Sequence, residues 1–99
     1  MSASPALSIV ICTFHRERLL QKAIESVAAQ RAPAGFPVEI VIVDNSDESS
    51  ARNVVESLRA SSPFQLRFVE AHPPNISVAR NAGVEAAKGE AIAFLDDDQ

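Results

Sequence analysis

Four short runs of β-branched and aliphatic residues alternate with stretches that carry a helical stripe, and that alternation leaves one fold class open. Leu7 to Thr13 is a nearly continuous apolar run, the mark of a strand covered on both faces. Between Glu17 and Gln30 the period changes. Leu20, Ile24, Val27 and Ala28 recur at helical spacing, and a Pro/Gly segment at residues 32–37 ends the helix. Val38 to Val43 reads as a second strand. A helix over Ala51 to Ala60 follows, with Ser49 or Ser50 as its cap and Val54, Val55 and Leu58 facing inward. Phe64 to Glu70 alternates and is expected near a sheet edge. A third helix spans Ser77 to Lys88, with Val78, Ala82, Ala86 and Val84 inward and Gly89 as a left-handed stop. Ala91 to Leu95 is the fourth strand. The pattern is βαβαβαβ, an α/β chain with a Rossmann-like, open, mostly parallel sheet and helices on both faces.

Bulk properties narrow the function classes. Ninety-nine residues make one small domain, with residues 1–6 as a disordered lead-in and 7–99 as the folded part. The net charge of −4 argues against a nucleic-acid surface. Cys12 is the single cysteine, set in an apolar run. It reads as a core residue in a reducing compartment, the cytoplasm. No stretch approaches the 18 apolar residues of a membrane-spanning helix.

In open sheets of this class, ligands sit beyond the carboxyl ends of the strands. The segments to read are therefore Thr13 to Arg16, Asp44 to Asp47, His72 to Asn75, and Asp96 to Asp98. The last is the most demanding, because a buried-looking strand runs straight into three carboxylates. Two unit charges about 5 Å apart at an effective dielectric of about 20 repel by roughly 3 kcal/mol. A hard divalent cation carrying a phosphate ligand would offset that; a solvated acidic end is the plainer alternative. The first loop, Thr13-Phe14-His15-Arg16, has no glycine, so a dinucleotide-binding G-x-G-x-x-G is absent, and so is a G-x-x-x-x-G-K-[ST] loop. No Cys/His cluster has zinc spacing. His15 and His72 read as surface or packing residues.

Four blocks together resemble a known family. Leu7-Ser8-Ile9-Val10-Ile11-Cys12-Thr13-Phe14-His15-Arg16, Ile40-Val41-Ile42-Val43-Asp44-Asn45-Ser46, Val78-Ala79-Arg80-Asn81-Ala82-Gly83 and Gly89-Glu90-Ala91-Ile92-Ala93-Phe94-Leu95-Asp96-Asp97-Asp98 are similar to the nucleotide-sugar half of inverting family 2 glycosyltransferases of the GT-A fold. The resemblance spans nearly the whole chain.

The resemblance implies a role for each matched position. Thr13, Phe14 and Arg16 would line the nucleotide-base pocket. Asp44 and Asn45 would contact base and ribose, and Arg80 would hold the nucleotide side. Asp96 and Asp98 fit the family's D-x-D motif. The first would lie nearer the ribose, and the last on a Mg2+ or Mn2+ that bridges the diphosphate; Asp97 could replace either in a shifted reading. The donor would be a UDP-, GDP- or dTDP-sugar. The acceptor, a glycan or a lipid-linked molecule, would be held by a second half following Gln99, with the catalytic base. In the full-length protein that half would also set any peripheral attachment to the inner face of a membrane.

The sequence departs from the family where Cys12, His15 and Asn45 stand, positions that often hold proline, asparagine and a second aspartate. Plainer roles are open at the same positions. Asp44 could cap the following helix, Arg80 could pair with Glu85 or Asp44, and Asn81 and Gly83 could serve helix packing. Two further classes compete: a non-catalytic nucleotide-binding module, and a phosphoacceptor domain. The second wants carboxylates after the first strand, and Thr13-Phe14-His15 supplies none. In the family a further strand lies beside the fourth. Without it, residues 91–95 form an open edge, and self-association through that strand is expected.

Overall fold

The computed structural model describes residues 5–13, 17–29, 37–45, 51–60, 64–72 and 75–96. The elements are β1 (Leu7–Thr13), α1 (Glu17–Ala29), β2 (Val38–Asp44), α2 (Arg52–Arg59), β3 (Gln65–Glu70), α3 (Ile76–Ala86) and β4 (Ala91–Asp96). The strands form a 4-stranded sheet in the order β3-β2-β1-β4, and every neighbouring pair is parallel. The order reverses at β1: β2 and β3 lie on one side of it and β4 on the other. The switch point of this sheet is therefore at the carboxyl ends of β1 and β4.

The strands are covered as their composition requires. Ile11, Ile40, Ile42 and Leu66 pack on one face against Leu20, Ile24 and Val27 of α1 and Val55 of α2. Val10, Val41 and Val43 pack on the other face against Ala79 of α3, with Val78, Ala82 and Ala86 beside them. Alternation along each strand thus separates an isoleucine face from a valine face. The valine face admits a helix lined with small residues. A Cβ added to Gly83 would lie 2.5 Å from Val10 Cγ1 and 3.3 Å from Val43 Cγ2, so α3 sits against the sheet at a distance only glycine allows. This is the packing role open to Gly83 from sequence; Asn81 is exposed.

Several local expectations change. Val84 is exposed rather than inward, because the inner stripe of α3 runs through Ala79 and Gly83. The helix ends at Ala86, with Ala87 at its cap in extended backbone. Gly89 does not adopt left-handed backbone. It is needed because a Cβ there would lie 2.6 Å from Ser8 N and 2.8 Å from Leu7 C. Ser49 and Ser50, the expected caps of α2, lie outside the described residues. Ala51 at that cap makes no side-chain bond. Of the lead-in, residues 1–4 lie outside the described residues. Pro5 and Ala6 are hydrogen-bonded: Ala6 N donates to Pro37 O at 2.9 Å, and Ala91 N to Ala6 O at 3.1 Å.

The two sheet edges differ. At β3, an edge as expected, Arg59 Nη1 donates to Leu66 O at 2.8 Å. Arg52 lies over the Phe68 ring, 4.8 Å from its centroid. At β4, Ile92 is 38% and Phe94 49% exposed. Among the described residues no strand lies beyond β4.

Candidate functional site

Three strand ends meet at one rim. In the register, Thr13 of β1 faces Asp44 of β2, and Cys12 of β1 faces Asp96 of β4. Adjacent strands lie about 4.8 Å apart, so the ends of β2 and β4 flank that of β1 and are separated by about 10 Å. The ladder runs slightly past the strands: Asn45 N donates to Thr13 O at 2.9 Å and Ala71 N to Asp44 O at 3.0 Å.

Each rim side chain has a definite environment. Asp44 is fully buried, and its Oδ2 accepts from Ala51 N at 2.9 Å. The helix-capping role open to it from sequence is thus realised, with one carboxylate oxygen holding the chain ahead of α2. Asn45 is used at both ends of its amide. Nδ2 donates to Ala71 O at 2.6 Å and Oδ1 accepts from Asn75 N at 2.8 Å. Asn75 in turn caps α3, its Oδ1 accepting from Ser77 N at 2.8 Å and Val78 N at 3.3 Å. Among the described residues, Thr13 Oγ1 is buried with no hydrogen-bond partner. Thr13 is only 3% exposed, and a buried polar atom left unpaired calls for an explanation, of which a bound ligand, ion or water is one.

Arg80 projects from α3 over β4, its guanidinium carbon 5.9 Å from the Phe94 ring centroid. That stacking is its recorded contact among the described residues, in place of the ion pairs with Glu85 or Asp44 open to it from sequence. Phe94 is two residues before Asp96, so the contact keeps Arg80 near the β4 end of the rim. The structure therefore gathers Thr13, Asp44 and Asn45 directly and brings Arg80 and the backbone of Asp96 alongside. Phe14, Arg16, Asp97 and Asp98 lie outside the described residues, as does His15. Among the described residues no group of three His, Cys, Asp or Glu side chains is placed to hold a metal.

The opposite end of the sheet carries a polar cluster that the sequence reading missed. Glu39 is buried in β2 and accepts from Ser8 Oγ at 2.5 Å, Lys88 N at 2.7 Å and Arg67 Nη1 at 3.2 Å. Gly89 N donates to Ser8 Oγ at 2.8 Å, and Arg67 Nη1 also donates to Ala86 O. Burial pushes the Glu39 carboxyl up. The Lys88 N–H, the Ser8 hydroxyl and the Arg67 guanidinium together outweigh it and hold the group below the usual glutamate value. The signal was present as an acid inside an apolar strand. This cluster braces the turn between α3 and β4, far from the carboxyl-end rim.

Similarity to known proteins agrees with the fold. A family model described as glycosyl transferase family 2 matches residues 8–99. The succinoglycan biosynthesis protein ExoM of Rhizobium meliloti is 38% identical over 93 residues, covering 94% of this chain and 30% of its own length. The GalNAc(5)-diNAcBac-PP-undecaprenol beta-1,3-glucosyltransferase of Campylobacter jejuni is 33% identical over 97 residues, covering 95% of this chain and 30% of its own length. A mannosyltransferase of Pyrobaculum calidifontis, solved in complex with GDP-Man and Mn2+, superposes with a TM-score of 0.82 at 21% identity. That superposition covers 98% of this chain and 28% of the archaeal one, and it bears on the fold. The chain thus spans about 30% of the length of these curated relatives. On the family match over residues 8–99, the chain belongs to glycosyl transferase family 2.

Proposed function

We propose that these residues form the donor half of an enzyme that moves a sugar from a nucleoside-diphosphate carrier to an acceptor hydroxyl, with inversion at the anomeric carbon. The observation that carries the reading is the buried Thr13 Oγ1, without a hydrogen-bond partner among the described residues, beside Asp44 at the switch point of the sheet. Thr13, with Phe14 and Arg16 from the following loop, lines the base pocket. Asp44 and Asn45 serve base and ribose, and Arg80 faces the nucleotide from α3. Asp96 lies toward the ribose, with Asp97 as its alternative.

A divalent cation fits the donor chemistry of this rim, since β4 ends in consecutive carboxylates and hard cations take oxygen ligands. Asp96 and Asp98 would hold Mg2+ or Mn2+. When bound, the ion would stabilise the negative charge that develops on the diphosphate leaving group. The protein's own part is to orient the donor between β1, β2 and β4 and to exclude water from the base.

The chain matches about 30% of the length of its curated relatives, which supports a reading in which the acceptor and the carboxylate that deprotonates it are held by residues other than these, and in which these residues alone do not turn over. A relative named for an undecaprenol-linked substrate supports a lipid-linked acceptor, and with it a cytoplasmic enzyme peripheral to the membrane's inner face. Among the described residues no helix is long and apolar enough to cross a membrane. The β4 edge, beside which no strand lies among the described residues, supports self-association of this chain through residues 91–95.

Calorimetric titration with UDP and GDP, in Mn2+ and in EDTA, tests the reading. Saturable binding of at least one diphosphate is expected, weakened by about tenfold or more in EDTA, a difference of about 1.4 kcal/mol. No saturable binding under either condition would overturn it.

A further inference from the structure

Among its described side chains, α3 has little apolar bulk facing the sheet with which to fix its own position. Its inner face is Val78, Ala79, Ala82, Gly83 and Ala86, so burial alone defines its distance from the sheet better than its sliding along it. Polar clamps hold both ends instead. At the C-terminal end, Arg67 donates to Ala86 O and Glu39 accepts from Lys88 N. At the N-terminal end, the tie is the Asn45 amide, 7% exposed, which joins the end of β2 to Ala71 O after β3 and to Asn75 N at the cap of α3.

From this we infer that Asn45 is a positioning residue that sets the first turn of α3, and through it Arg80, against the donor site. The inference rests on the donor reading above and assigns Asn45 a different principal task there. Its amide is oriented by two backbone groups, one asking for a donor and the other for an acceptor. A carboxamide satisfies both at once, whereas a carboxylate or a methyl group does not. A carboxylate at this position keeps the acceptor for Asn75 N but sets an oxygen against Ala71 O. Arg80 follows Asn75 by little more than one helical turn, so a shift of the cap is a shift of Arg80.

The test uses Asn45→Asp and Asn45→Ala in this chain, with two readouts taken below the unfolding transition. One is hydrogen exchange at the Asn75 and Ser77 amides; the other is affinity for UDP and GDP in Mn2+. In Asn45→Ala the Asn75 amide should exchange faster, by roughly three- to tenfold for the loss of one hydrogen bond, and in Asn45→Asp by less, because the acceptor is kept while the bond to Ala71 O is lost. Affinity for the two diphosphates should fall by the same factor, because Arg80 serves the part they share. A changed UDP-to-GDP ratio with unchanged Asn75 exchange would leave Asn45 a base contact alone, with no positioning role, and overturn the inference. Faster exchange with unchanged affinities would also overturn it, leaving Asn45 a purely structural bond. If the unsubstituted chain binds neither diphosphate, the donor reading fails on its own. The clamp is then judged by Asn75 protection in that chain, where unprotected exchange at this exposed residue refutes it. That last measurement also serves if the variants do not fold.

Discussion

At Thr13, which has no hydrogen-bond partner among the described residues, a hydroxyl leaves water without a bond in return, which disfavours the unliganded fold by about 1–3 kcal/mol. Valine has the same shape without the oxygen. Thr13→Val should therefore raise stability by about 1 kcal/mol in urea unfolding while weakening diphosphate binding severalfold in titration. A variant that loses stability would mean the hydroxyl is bonded inside the fold. Thr13 and Asp44 were legible from sequence because strand ends and the α/β ligand rule both point at them. The bond from Ala51 N to Asp44 was legible too, since acids that follow strands commonly tie the next turn. The double bond of Asn45 was not, because its partners stand 26 and 30 residues away and only the parallel register brings them together.

Among the elements, strand and helix order was legible because both periods are strong in this chain. The ends were less so. β2 and β4 each run one residue further than their apolar residues, into Asp44 and Asp96, because ladder hydrogen bonds depend on backbone and not on side-chain polarity. Gly89 was expected for its conformation and is required for close approach to Ser8; sequence does not separate those two uses of glycine. The edges make the further contrast. Arg59 covers a carbonyl of β3, whereas β4 shows Ile92 and Phe94 to solvent. An open apolar edge is a pairing surface. Light scattering should show concentration-dependent association that Phe94→Lys reduces. A clean monomer at high concentration, with or without the substitution, would contradict pairing through β4.

Across the whole molecule, polar chemistry is divided between the two ends of one sheet. Among the described residues, the carboxyl-end rim holds the unsatisfied group, while the amino-end cluster around Glu39 is satisfied and structural. Because the folded Glu39 value is depressed, its contribution is complete above the unfolded value of 4.5. It is lost as pH falls through the lower folded value. Glu39→Gln should thus destabilise by roughly 1–3 kcal/mol at neutral pH in urea unfolding, and the gap from the parent chain should shrink toward pH 3. A gap independent of pH would remove the carboxylate from this role.

The account centres on where a cation-bound diphosphate sits, and paramagnetic Mn2+ reports that position residue by residue. Amide resonances of the 99-residue chain would be followed as Mn2+ is added with UDP or GDP. Thr13, Asp44, Asn45 and Asp96 should broaden first, while Ser8, Glu39 and Lys88 at the far end of the sheet stay sharp. Broadening centred on the Glu39 end, or spread evenly over the acidic surface, would contradict the placement of the site.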